Sequence, residues 1–315
     1  MVAEVFMKTD NAVQINRIQF KRILIATDFS DASRNALRYA AAIARNHGAR
    51  LYIVHIVSSV GYKMVGADAE IRAAELAARE LKELWSKLGG DDHSSPVEQA
   101  LIVRRGEVCD QLEDLIHKER IDLAVIGTRG RTGLSKVVLG SVAEDIFRKV
   151  SCAVLTVGPS SDWDWPQREV GAEKAILFAT DFGDASLKAL PYAVSIANRS
   201  GSKLFLLHVT KFVRQADQTP TFGHTLEVVE KECRESAMKR LKELIPGDLE
   251  IDHEVRVASG LPVDGILSEV AGTASGLIVL GLHRKSLFVP SGHLPSTTAY
   301  EVVLRARCPV LTVRS

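Results

Sequence analysis

The residues best suited to chemistry lie in one stretch, GTRGRTGLSKVVLGS, at positions 127–141. Gly127, Gly130 and Gly140 carry no side chain, so a ligand can approach their backbone. Arg129, Arg131 and Lys136 add positive charge beside them, and Gly140-Ser141 opens a predicted helix. A helix N-terminus presents unpaired N–H groups and favours anions. Together these residues describe a phosphate cradle built largely from backbone. The same residues support a plainer reading. Ser141-Val142-Ala143-Glu144 has the spacing of a capping box, which needs no ligand, and glycine-rich loops often serve only as turns. The stretch is neither a GxxxxGK[ST] phosphate loop nor a GxGxxG dinucleotide fingerprint.

A second candidate is Asp28, in ATDFS at the end of an apolar run. Its carboxylate can accept from an adenine amino group or a ribose hydroxyl. Equally, it can accept from its own turn backbone, a common use of Asp. His55 and His208 occupy matching places in two later apolar runs. They read as packed, hydrogen-bonded histidines, since neither has a Cys or second His at metal-ligand spacing.

These residues must be positioned by elements that the chain writes twice. KRILIATDFSDASRNALRYAAAIARNHGARLYIVHI (21–56) aligns without a gap to KAILFATDFGDASLKALPYAVSIANRSGSKLFLLHV (174–209), and about half of the positions are identical. CAVLTV (152–157) likewise matches CPVLTV (308–313). The expected organisation is a tail at 1–20, a first domain at 21–158, a linker at 159–172 and a second domain at 173–315. Trp163 and Trp165 are expected to pack the linker onto a domain.

Within the first copy, short apolar runs alternate with 3.6-periodic segments. Strands are predicted at 23–27, 51–56, within 98–106, at 122–127 and at AVLTV. Helices are predicted after Ser30, over 67–88, over 109–118 and over 141–149, with Ser30 as a cap and Gly48 as a stop. Strands joined by helices imply a parallel sheet with right-handed crossovers. Such sheets bind ligands beyond the carboxyl ends of their strands, and the 127–141 stretch falls there. The apolar last strands invite edge pairing between the two copies.

Composition narrows the function classes. The 315 residues are 46% hydrophobic and 25% charged, with a net charge of +1. That balance gives no global field for nucleic acid or an anionic membrane. No apolar run approaches a bilayer span, and the N-terminus lacks the pattern of a secretion signal. Cys109, Cys152, Cys233 and Cys308 fit no zinc or disulfide framework and read as packed free thiols. The expected location is the cytoplasm.

With ATDFS, LYIVHI and the spacing Gly127-x2-Gly130-x9-Gly140-Ser141 in place, each copy resembles a universal stress protein domain. The resemblance covers nearly the whole chain outside tail and linker. It implies an α/β fold of two tandem, doubly wound, five-stranded parallel sheets of order 3-2-1-4-5, like the adenine nucleotide alpha hydrolases. It implies ATP, with or without Mg2+, as the ligand of the first copy. By the same resemblance, Asp28 and Ile56 lie around adenine, Ile126 and Gly127 beside the ribose, and Gly130, Gly140, Ser141 and Val142 on the phosphates. Pairing through the last strands follows within the chain, and two chains can pair again as a homodimer.

The second copy departs from this pattern. Asp181, Val209 and Gly281 remain, but Arg284 replaces Gly130. Ser296 and Thr297 stand at Gly140 and Ser141 after a two-residue insertion. Pro290 and Pro295 stiffen the loop, and Thr298 with Glu301 retains capping-box spacing. His283, Arg284 and Lys285 suit a solvated basic turn better than a second anion site. The second copy is expected to bind ATP weakly or not at all. The leading expectation is an ATP-binding regulatory stress protein read by an unidentified protein partner. Slow hydrolysis or self-phosphorylation at Ser141, Thr132 or Ser135 stays open. A ligand-free interaction scaffold is one alternative, and an enzyme on the same fold is another. The latter lacks the HxGH or SGGxDS motifs such enzymes use.

Overall fold

The computed structural model describes residues 17–58, 67–88, 96–128, 140–158, 174–210, 220–247, 249–283 and 297–314. Arg129, Gly130, Trp163, Trp165, Arg284, Pro290, Pro295 and Ser296 lie outside these residues, as do Thr132, Ser135 and Lys285.

The first domain runs β1 (Arg22–Ala26), α1 (Asp31–His47), β2 (Arg50–Val57), α2 (Ala67–Leu88), β3 (Gln99–Arg105), α3 (Val108–Lys118), β4 (Leu123–Gly127), α4 (Ser141–Lys149) and β5 (Ala153–Val157). The second runs β6 (Ile176–Ala179), α5 (Asp184–Ser200), β7 (Leu204–Thr210), α6 (Pro220–Lys242), β8 (His253–Ser259), α7 (Pro262–Gly272), β9 (Leu277–Leu282), α8 (Thr298–Arg305) and β10 (Val310–Arg314). Helix α1 shows why these segments fold as they do. The Ser30 side chain accepts from the Ser33 amide, and Gly48 ends the helix at φ 62°. The 3.6-periodic face, Ala36, Leu37, Ala40, Ile43 and Ala44, is fully buried between them.

The strands form one ten-stranded sheet, ordered β3-β2-β1-β4-β5-β10-β9-β6-β7-β8. Each half has the expected 3-2-1-4-5 order and is parallel throughout. Among the described residues the one antiparallel pairing is β5 with β10, where Leu155 faces Leu311. Thr156 Oγ1 donates to the Val310 carbonyl at 3.1 Å, and Thr312 Oγ1 returns the bond to Val154 at 3.3 Å. The two domains therefore pair through their last strands about a pseudo-twofold axis, which leaves neither apolar edge bare. One helical layer packs against Ile23, Ile25, Leu51 and Ile53 and includes α1 and α5. The opposite layer packs against Leu24, Val54, Ala124 and Ile126 and includes α4 and α8.

Two structural details depart from the sequence expectations. Residues 18–20 join the domain interface: the Ile18 amide donates to Ser195 Oγ at 2.7 Å, and Phe20 is buried against His47 and Tyr192. The four thiols are also not alike. Burial pushes the pKa of the Cys152 and Cys308 thiols up to about 12, which disfavours the reactive thiolate. Cys109 donates to the Asp145 carboxylate at 3.1 Å, whereas Cys233 is exposed on α6 rather than packed.

Candidate functional site

The carboxyl ends of β1, β2 and β4 and the start of α4 converge on one edge of the first domain. The chain leaves β1 through a tight turn. Thr27 Oγ1 accepts from the Phe29 amide at 3.0 Å and lies 3.0 Å from Ser33 Oγ. Phe29 takes φ 64°, a left-handed conformation costly for a bulky residue. Its ring rests on His55, with centroids 4.5 Å apart, and His55 Nδ1 donates to the Thr27 carbonyl at 2.8 Å. The second domain repeats this turn with Thr180, Phe182 at φ 61°, and His208. Both histidines are thus packed and bonded, and each braces the turn that presents an aspartate. Sequence reasoning missed Thr27, Phe29 and Ser33 as that scaffold. The shared TDFxDAS was the available signal.

Asp28 is half-buried, and its Oδ1 accepts from the Ser30 amide at 3.0 Å and from Ser30 Oγ at 2.5 Å. One of its oxygens therefore serves the turn. In the second domain Gly183 stands where Ser30 stands, and Asp181 Oδ1 accepts instead from the Gly183 amide and Ser186 Oγ. Partial burial pushes the Asp181 carboxyl upward. The Gly183 amide, the Ser186 hydroxyl and nearby His283 outweigh that and hold it below its usual range.

Packing by itself forbids a side chain at Gly127. A Cβ there would lie 2.9 Å from the Ala32 carbonyl carbon and 3.1 Å from the Ser33 amide nitrogen, both in the first turn of α1. Gly281 meets Ala185 and Ser186 of α5 in the same way, closer still. Ile126 is only 2% exposed and packs with α4, so its side chain belongs to the core. Ile56 is half-buried at the end of β2.

The glycine-rich loop is gathered at its base. Thr128 donates to the Val157 carbonyl, and the Gly140 amide donates to the Thr128 carbonyl at 3.1 Å. Helix α4 then starts with Gly140 as N-cap at φ −60° and ψ 149°, and with Ser141 and Val142 as its first helical residues. Ser141 is therefore not the N-cap, and Glu144 falls at N4 rather than at the N3 position of the expected Ser141–Glu144 capping box. With glycine at the N-cap, that position has no side chain to offer the first-turn amides. Helix α8 begins one residue later relative to the repeat. Its N-cap is Thr297, not Thr298, and the Thr297 side chain accepts from the Tyr300 amide at 3.2 Å. The shift is at the start only. Ala299, Val302 and Val303 match Ala143, Ile146 and Phe147 in burial, and both C-caps bond back alike.

The second domain keeps a cavity of about 430 Å³ at its equivalent edge, lined in part by Asp181, Val209, Leu280, Gly281 and Thr298. His283 Nε2 stands 3.8 Å from Asp181 Oδ2. Among the described residues no group of His, Cys, Asp or Glu is arranged for a metal ion, and no helix is long and apolar enough to cross a membrane.

The doubly wound strand order and its repetition in both halves define a tandem α/β protein of the adenine nucleotide alpha hydrolase-like class. The model of the universal stress protein family matches residues 19–158 and again 173–314. The chain therefore belongs to the universal stress protein family. It is 26% identical over 302 residues to a universal stress protein of Mycolicibacterium smegmatis, covering 93% of this chain and 96% of that one. A universal stress protein of Methanocaldococcus jannaschii is 30% identical over 148 residues, 44% of this chain and 82% of the relative. The crystal structure of a universal stress protein from Archaeoglobus fulgidus superposes with a TM-score of 0.65 at 19% identity, covering 94% of this chain and 99% of that one.

Proposed function

We propose that this stress protein binds ATP, with or without Mg2+, in its first domain, and that occupancy is read by a protein partner in the cytoplasm. One contrast carries the reading: α4 starts on a glycine, whereas α8 starts on a threonine that caps its own helix. A first turn without a side-chain cap suits a phosphate. The gathered loop base and the Gly127-x2-Gly130-x9-Gly140-Ser141 spacing support the same ligand. Asp28 and Ile56 at the neighbouring strand ends suit adenine. Arg129, Gly130, Ser141 and Val142 complete the proposed phosphate set. Any hydrolysis is slow in this reading, since the described edge holds no nucleophile–base pair. Four free cysteines accord with a reducing compartment.

Calorimetry on the full chain tests the proposal, with an expected stoichiometry of one ATP. Gly130→Arg, which copies the second domain's residue, is expected to abolish binding while circular dichroism stays unchanged. Two ATP molecules per chain, or none at millimolar ATP, would refute it.

A further inference from the structure

The carboxyl edge of the first domain lies beside the amino edge of the second, because β5 and β10 run antiparallel. What the second domain presents there is part of the first domain's surroundings. Two routes through the structure lead to one residue. The first is strand register. Val310 pairs with Thr156, and stepping outward sets Pro309 beside Val157 and Cys308 beside Gly158. Arg307 comes next. The Val157 carbonyl accepts from the Thr128 amide, and the Thr128 carbonyl accepts from the Gly140 amide, so this point adjoins the start of α4.

The second route is helix packing. Each helix runs against its own strand, so α4 and α8 are antiparallel, and they meet where the Phe147 and Tyr300 rings lie 6.1 Å apart. Equal steps back along α4 and forward along α8 set Glu144 opposite Val303. They then bring the chain that leaves α8 to Gly140, the helix start without a side-chain cap.

Two arginines stand at that point. Arg305 donates to Asp264 at 2.7 Å and is held toward α7. Arg307 is exposed and makes no ion pair among the described residues. By the match of CAVLTV with CPVLTV, the reciprocal residue of the first domain is Ser151, which brings no charge to the second domain's edge. A guanidinium presents a planar fork of donors that fits phosphate oxygens.

We propose that Arg307 of the second domain binds the phosphates of the nucleotide held by the first. The second domain then supplies charge across the β5–β10 seam and is more than a degraded copy. This inference rests on ATP binding by the first domain, and the test separates the two.

Calorimetry on the full chain compares ATP with adenosine. Arg307→Ala is expected to weaken ATP binding about tenfold and to leave adenosine unchanged. Arg307→Lys keeps the charge without the fork and is expected to fall between the native and alanine chains. Arg305→Ala breaks the Asp264 pair and is expected to leave ATP affinity unchanged. Native ATP affinity in Arg307→Ala, or an equal loss for adenosine and ATP, would overturn the role of Arg307 and leave the first-domain site standing. A native chain that binds no ATP would overturn both.

Discussion

His47 makes the pairing of the two domains sensitive to acid. It is the last residue of α1, 3% exposed, at the interface. The Phe20 amide donates to its Nδ1 at 3.1 Å, so the ring is neutral with its proton on Nε2. Nε2 is buried without a partner among the described residues. The adjoining void, bounded by Phe20, Leu155 and Leu311, measures about 10 Å³, at the lower limit for one water. Burial, and then the charge of Arg199 across the interface, lower the His47 pKa from 6.5 to about 4. A folded-state pKa below the unfolded value means the unfolded chain binds more protons in between. Stability is therefore full above pH 6.5 and falls as pH drops toward 4. Each pH unit of depression is worth about 1.4 kcal/mol, which caps the loss at about 3 kcal/mol. Arg199 is solvent-facing, and screening there lowers the expectation to about 2 kcal/mol. The perturbation is His47→Gln, whose amide oxygen can still accept from Phe20. Urea denaturation of both chains from pH 7.5 to 4.5 is expected to show that loss in the native chain and not in the variant. Half-buried Asp122 titrates in both chains, so its contribution cancels in the comparison. Parallel pH profiles, or an NMR titration of His47 near 6.5, would refute the argument.

Other outcomes follow from single contacts. Gly127→Ala forces a Cβ onto the α1 backbone and is expected to cost about 1–3 kcal/mol, with Gly281→Ala costing more. An unchanged urea midpoint in either would exclude the close approach. Thr297→Ala removes the α8 cap and is expected to cost about 1 kcal/mol, with faster hydrogen exchange at the Tyr300 amide. Thr297→Ser is expected to preserve that protection.

The sequence reads well where structure depends on local periodicity. Helix α2 spans the predicted 67–88, and the strand predictions agree with the structure to within a residue or two, because each is a short apolar run between polar turns. The β5–β10 pairing was legible because both last strands are apolar and identical at the Leu-Thr-Val core. What depends on where one element crosses another was not legible. The missing side chain of Gly127 suggested room for a ligand until the α1 crossing filled that space. The start of α8 depended on loop path rather than propensity, since Thr297 and Thr298 are equally good caps on type alone. The role of His47 was not legible, because nothing near it in sequence announces Phe20 or Arg199. Asp28 kept two roles open on position, and the structure assigns one of its oxygens to the turn.

The asymmetry between the domains also reaches their shared interface. On the face bearing α4 and α8, the Phe147 ring meets the Tyr300 ring at 6.1 Å. Arg314, the last residue of β10, donates to the Phe147 carbonyl. The equivalent of Arg314 in the first domain is Gly158, which cannot return that bond, and its carbonyl instead takes Asn35 at 3.4 Å. Tyr300 is also the residue whose amide the Thr297 cap holds. Tyr300, whose amide donates to the Thr297 cap, therefore packs directly against the helix that opens on Gly140. A duplicated domain held about a true twofold axis would have to change both helix starts together. Here the Phe147–Tyr300 contact and the one-sided Arg314 bond join the two halves at the buried faces of α4 and α8, while the two helix starts differ by one residue and the sheet between them is continuous.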